Sequence, residues 1–403
     1  MNHSSYDTGF HPADVLLPKE EYLERWCVPP VDQHTSEKEF WDDLERGIGG
    51  APSALSLVLP EAYLGSEKEE SLLASISGKM REYLLSGVFR EEKDSYIWVE
   101  REQSTGKYRR GLLGKLNLSL YDFDPSKKAR IRATEETVPS RLPPRIRVRE
   151  GASLEFPHVL VLYDDPGAKL KKAAEETVRT LQRGPLYDFR LPVCGHRIRG
   201  TVIRSEEAGL IDAALGAILE NSFLAVGDGN HSLAAAKALY EKKAKDPSVS
   251  DAEKNAARFA LVELVSCEDE AMPFEPIHRL VFSDPASLIE KAKGYRGEKE
   301  YSFTVLSEGK ENRLTIGANE DLLPVAVLQS FLDRDGFAVD YIHDEDALRA
   351  LSDAGKGTGI LLPPFERAKL FPTVAELGVL PRKTFSLGRA EDKRFYLEGR
   401  KIR

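Results

Sequence analysis

The stretch from Phe223 to Lys237 constrains this chain most, because an apolar run gives way to helical spacing across a few small and ionisable residues. Phe223 to Val226 is apolar, short and bounded by Gly227, which predicts a buried strand. Leu233, Ala236, Leu239 and Tyr240 then recur at the spacing of one helix face. The loop between them therefore lies where a strand ends and a helix begins.

The chemistry of that loop follows from the backbone. The first N–H groups of a helix lack internal partners and the peptide dipoles put partial positive charge there, so a phosphate or carboxylate is readily held. Gly227 and Gly229 keep side chains out of its path, while Asn230 and Ser232 supply polar groups beside it. Asp228 would repel a bare anion, so it is expected either to share Mg²⁺ with a phosphate or to act as a base on a hydroxyl. His231 is suited to donating to a phosphoryl oxygen or relaying a proton. The alternative is a helix cap by Asp228 or Asn230 with His231 packed beneath the loop.

Elsewhere helices and strands alternate. Strands are predicted at Ser53 to Pro60, Tyr96 to Arg101, Tyr108 to Leu120, Phe156 to Tyr163, on both sides of Cys194, and at Arg258 to Cys267 and Ile277 to Phe282. Helices are predicted at Glu67 to Leu85, Ala168 to Leu181, Glu207 to Leu219, and near Leu288, Leu323 and Asp344. Asp246 to Glu253 reads as a loop, and Leu361 to Leu397 as a strand, a helix and a final hairpin. The expected fold is mixed α/β (α+β) with a mixed sheet, in two lobes around a central cleft. Charge changes suggest an N-terminal α/β lobe over 1–150, a central region over 151–290 and a C-terminal region over 291–403, or one continuous family domain.

Bulk properties exclude several classes. With 41% hydrophobic and 31% charged residues in 403, the chain is globular in composition, and it shows no repeat. A net charge of −9 argues against a general nucleic-acid binder, which needs basic surface. Met1 to Glu20 has charges and prolines in place of an apolar core, and no 18 consecutive residues are apolar, so a cytoplasmic protein without a membrane partner is expected. Cys27, Cys194 and Cys267 are too few and too scattered for a disulfide framework.

Other segments carry charge that suits an anion. Lys127 to Arg149 holds eight Lys or Arg against Glu135 and Glu136, a local excess of six positive charges. Pro139, Pro143 and Pro144 would stiffen this run, and arginines such as Arg141 have the planar fork that binds phosphate bidentately. Glu135 is placed to activate a hydroxyl or hold a metal, or else to neutralise its arginine neighbours. His278 with Arg279, and Arg382 with Lys383, are two further basic pairs. Asp32 and Gln33 precede Thr35 and Ser36, which read as a helix cap ahead of Phe40 and Trp41.

Trp26 through Trp41, Ile131 through Thr137, Gly227 through Ser232, Pro276 through Arg279 and Leu380 through Thr384 together resemble the bacterial and archaeal family called domain of unknown function 1015. The motifs occur in that family's order. Its Asp-Gly-His-His-Arg pattern is matched at Asp228, Gly229 and His231, with Asn230 and Ser232 departing. Its His-Glu-x-Thr keeps Glu135 and Thr137, with Thr134 in place of the histidine. What that histidine and the missing arginine do is not carried over. The Asp-Gly-His element also resembles that of free-serine kinases with a ParB/sulfiredoxin-like core, where a related loop holds nucleotide phosphates and an acid acts on a serine hydroxyl.

This resemblance implies a phosphate- or nucleotide-binding enzyme that moves a phosphoryl group onto a small hydroxylated, serine-like metabolite, with Mg²⁺ and ATP or ADP. Asp228 or Glu135 would be base or Mg²⁺ ligand, His231 proton relay, and Thr137, Arg141, His278, Arg279, Arg382 and Lys383 phosphate or substrate contacts. No Gly-x-x-x-x-Gly-Lys-Ser/Thr loop is present, so any nucleotide site is of another kind. A phosphohydrolase for a small phosphorylated metabolite and a non-catalytic metabolite sensor are the alternatives.

Overall fold

In the computed structural model, which describes residues 7–35 and 37–403, the chain divides into two compact units. The first comprises Met1–Met272, Val374–Gly378 and Ala390–Arg403, and the second Pro273–Thr373 and Val379–Arg389. No described helix is long and apolar enough to cross a membrane.

The first unit is built on an eleven-stranded sheet among the described residues. Nine strands run in the order Tyr121–Asp122, Ile131–Ala133, Leu224–Asp228, Leu160–Tyr163, Phe259–Ser266, Tyr108–Asn117, Phe89–Glu102, Arg197–Arg204 and Tyr187–Arg190. Phe10–His11 and Ala13–Pro18 pair with Tyr108–Asn117 and Phe89–Glu102. Leu224–Asp228 lies parallel to Ile131–Ala133 and antiparallel to Leu160–Tyr163, so the sheet is mixed and the fold is mixed α/β, as the alternation predicts.

Successive strand residues face opposite sides. Leu112 and Leu264 pack on one face with Leu233 and Ala236 of the helix Asn230–Lys245. Leu113 and Leu261 pack on the other with Trp26 and Leu397. Apolar strands such as Leu160–Tyr163 read as continuous runs because both of their faces are covered.

The second unit carries a five-stranded antiparallel sheet in the order Lys310–Ala318, Lys299–Ser307, Thr358–Leu361, His278–Val281 and Val339–Ile342. Leu288, Leu328 and Phe331 from two helices cover it.

Several local expectations fail for identifiable reasons. Ser53 to Pro60 is not a strand: the Ser53 side chain accepts from Leu55 N–H and starts the 3-10 turn Ala54–Leu57. The proline-rich basic run contains the helix Leu142–Gly151, because proline in a first turn forfeits only an N–H that has no partner there. Helix Asp251–Ala257 begins inside the expected loop, where Ser250 caps Glu253 N–H. No hairpin closes the chain: Phe385–Leu387 pairs with Phe274–Pro276, and Arg400–Lys401 with Leu154–Glu155. Ser36, one of two candidate caps for the helix Lys38–Ile48, lies outside the described residues, as does Met1 to Tyr6 of the N-terminal reading.

Candidate functional site

The strand Leu224–Asp228 passes into the helix Asn230–Lys245 with a single residue, Gly229, between them. The register shifts between Val226 and Asp228, so Gly227 lies at a bulge that turns the chain. Gly229 has φ +79°, and a Cβ there would stand 2.9 Å from Val159 Cγ2 and 3.2 Å from its Cα. Both the left-handed backbone and the close approach require glycine. Gly229→Ala is expected to lower stability by about 1–3 kcal/mol, read as a shift in the urea unfolding midpoint.

Parallel pairing brings a second motif to this junction. Ile131–Ala133 lies beside Leu224–Val226, and the Thr134 hydroxyl donates to Val226 O at 2.6 Å. Four residues on, Val138 N–H donates to His231 Nε2 at 3.2 Å, which puts the proton of a neutral His231 ring on Nδ1. Thr137 Oγ1 and Asn230 Oδ1, on either side of that bond in sequence, are buried and have no hydrogen-bond partner among the described residues. Unmet polar capacity of this kind is what a ligand supplies. Glu135 is partly buried in the same loop, whereas Glu136 is exposed.

Asp228 is held on two sides. Its Oδ1 accepts from Gly229 N–H at 2.9 Å, and its Oδ2 lies 3.1 Å from Lys393 Nζ. The repulsion expected between Asp228 and an anion is thus offset by an ammonium that the sequence reading did not consider. The placement of Lys393 comes from buried cations gripping the main chain around it. Arg101 donates to Glu391 O at 2.6 Å and to Lys393 O, Arg109 donates to Asp392 O at 2.9 Å, and Ser104 donates to both oxygens of the Asp392 carboxylate. Burial, then the charge of Arg109, pushes the Arg101 guanidinium down to about 10.

The same region gathers Asp32, His158 and Tyr396. Val31 N–H donates to the Tyr396 hydroxyl at 3.2 Å, and that hydroxyl lies 2.9 Å from His158 Nδ1. Burial, followed by the Asp32 charge, pushes the Tyr396 hydroxyl far up, so it keeps its proton. His158 Nε2 faces Asp32 Oδ2 at 3.8 Å. Burial opposes ionisation of Asp32, but His158, Lys393, a hydrogen bond from Gln33 and Arg145 outweigh it and hold the carboxyl below its ordinary value. Lys393 therefore acts on two carboxylates that are far apart in sequence.

Half of the basic run is consumed by ion pairs. Arg145 pairs with Glu61, Arg147 with Glu69 and with Glu70 at 2.7 Å, Arg149 with Glu155, and Lys127 with Asp122 at 2.8 Å. Arg132 stacks over Phe223, 3.9 Å from its ring centre. Arg141 is exposed.

His278, Arg279, Arg382 and Lys383 lie in the second unit. His278 Nδ1 accepts from Leu362 N–H at 3.1 Å, and burial lowers its pKa so the ring stays neutral. Arg279 is fully buried and donates to Ile277 O at 2.6 Å, Gln329 Oε1 at 3.0 Å and Lys383 O at 3.2 Å. It thereby ties down the turn that carries Arg382 and Lys383, so two of the five separated motifs meet here. Arg279→Met is expected to loosen that turn, and trypsin should cut after Arg382 or Lys383 earlier than in the unaltered chain.

Sequence reasoning missed Lys393, His158 and Tyr396. The available signal for Lys393 was four consecutive charged residues, Glu391 to Arg394, beside an apolar run. For His158, flanked by Pro157 and Val159, there was none.

Among curated proteins none matches the chain. Among solved structures, a conserved hypothetical protein from Pyrococcus furiosus is similar at 14% identity, over 70% of this chain and 90% of that one, with a TM-score of 0.34. A free serine kinase in complex with AMP is similar at 11% identity, over 72% and 91%, with a TM-score of 0.37. SbnI from Staphylococcus aureus is similar at 11% identity, over 68% and 81%, with a TM-score of 0.35. Residues 11–334 match the family described as protein of unknown function DUF1015, and the chain belongs to that family.

Proposed function

We propose that this protein binds the phosphates of a nucleotide, ATP or ADP, at the start of helix Asn230–Lys245 and transfers a phosphoryl group to a small hydroxylated, serine-like metabolite. The observation that carries this reading is Lys393 held against Asp228 beside two buried, unpartnered polar atoms, Thr137 Oγ1 and Asn230 Oδ1. Phosphoryl transfer asks a protein chiefly for positioning and for charge opposite the phosphoryl oxygens.

Lys393 and the first N–H groups of the helix supply positive charge, and the bulge at Gly227 turns the strand into that helix. Asp228 or Glu135 accepts the proton of the acceptor hydroxyl or contributes to a Mg²⁺ site. One or two carboxylates completed by substrate phosphates is the ligand set Mg²⁺ ordinarily takes, so these residues fit the ion. When bound, the ion would neutralise charge on the phosphates. His231, protonated on Nδ1, is the proton donor, and Asp32, oriented by His158 and Tyr396, adds a third carboxylate under the influence of Lys393.

The test is incubation of the purified protein with Mg²⁺, ATP or ADP and a pool of small hydroxy and amino acids, read by mass spectrometry. A phosphorylated product is the expected result. Untouched nucleotide and metabolites across the pool would overturn the reading.

A further inference from the structure

A cavity of about 420 Å³ is lined by Asp7, His11, Pro12, Asp94, Lys115, Asn117, Arg258 and Phe259 and shares no residue with the helix junction. The sheet register builds it. His11 lies opposite Lys115, and Phe259 opposite Asn117, so the four side chains occupy one face of three adjoining strands.

Three basic groups converge on the Phe259 ring. Lys115 Nζ is 5.1 Å and Arg258 Cζ 5.7 Å from its centre, and the His11 ring stands edge-on at 6.0 Å. The acids in the cavity are already engaged. Asp7 accepts from Gly9 N–H at 2.8 Å and Asn117 Nδ2 at 3.1 Å and faces His11 at 3.0 Å, while Asp94 accepts from the Ser205 hydroxyl. Among the described residues neither Lys115 nor Arg258 has a carboxylate partner, and Arg258 donates only through Nε, to Asn117 Oδ1 at 3.1 Å.

We infer that this cavity binds a small anionic metabolite, with a phosphate or carboxylate group bridging Lys115 and Arg258. Two partly buried cations on one ring repel each other, and an anion between them converts that repulsion into two charge-assisted contacts. The volume falls in the range of small-molecule sites. The free guanidinium nitrogens of Arg258 offer the planar pair that such a group accepts.

The full chain is titrated calorimetrically with inorganic phosphate and, separately, with malonate, in parallel with Lys393→Met and with a Lys115→Met/Arg258→Gln double variant. The expected result is a binding component that persists in Lys393→Met and weakens at least about tenfold in the double variant. Phosphate alone titrating marks a phosphoryl ligand, and malonate alone a carboxylate ligand. The inference is overturned if neither anion binds, if the double variant binds like the unaltered chain, or if binding is lost in Lys393→Met alone, which would put the anion at the helix junction. Circular dichroism checks each fold, and Lys115→Met alone, at a partly exposed side chain, gives the same comparison should the double variant unfold.

Discussion

Asp228→Asn is expected to slow phosphoryl transfer at least ~100-fold while nucleotide binding survives. The amide keeps the shape of the carboxylate and can still accept from Gly229 N–H, but it neither takes a proton nor offers a charge to a metal. Lys393 then loses the partner at 3.1 Å that offsets its charge, leaving it more available to phosphate. Loss of turnover with affinity unchanged or improved is the signature of a catalytic Asp228. If no turnover is seen in either chain and affinity rises in the variant, the site is a sensor that reads a phosphorylated ligand without changing it. Product appearing by mass spectrometry at an unchanged rate would remove Asp228 from the chemistry. The unfolding midpoint, measured alongside, separates this from simple destabilisation.

The second large effect concerns stability. Glu263→Gln is expected to cost about 3–5 kcal/mol in urea denaturation, more than any surface change. Glu263 is 1% exposed, with Arg109 at 3.2 Å and Arg394 at 3.6 Å, both also buried. Removing one carboxylate strips two buried guanidinium groups of a counter-charge at once. Arg394 retains Glu398 at 2.9 Å, so the larger part of the loss should fall on Arg109. The pocket for this carboxylate is opened by Gly111, whose Cβ would come within 2.4 Å of Glu263 Oε1. A loss under about 1 kcal/mol would show that this network contributes little to the fold.

The strand-to-helix junction was legible because its signal is local: an apolar run, glycine, and helical spacing within eighteen residues. The meeting of Thr134 to Val138 with His231 was legible only as two motifs, since pairing of Ile131–Ala133 with Leu224–Asp228 is a long-range event. Charge excess in the basic run said nothing about use, because Glu61, Glu69, Glu70 and Glu155 come from distant segments to absorb it. Lys393, His158 and Tyr396 were hidden for the same reason. Their roles arise from contacts across more than 120 residues, which periodicity does not encode.

Ala390–Arg403 returns to the first unit after the second has been laid down. A ribosome therefore releases the ammonium facing Asp228 only after the whole second unit, long after the strand and helix beside it. A chain stopped before Ala390 would lack Arg394 and Glu398 as well as Lys393, so it should fold poorly.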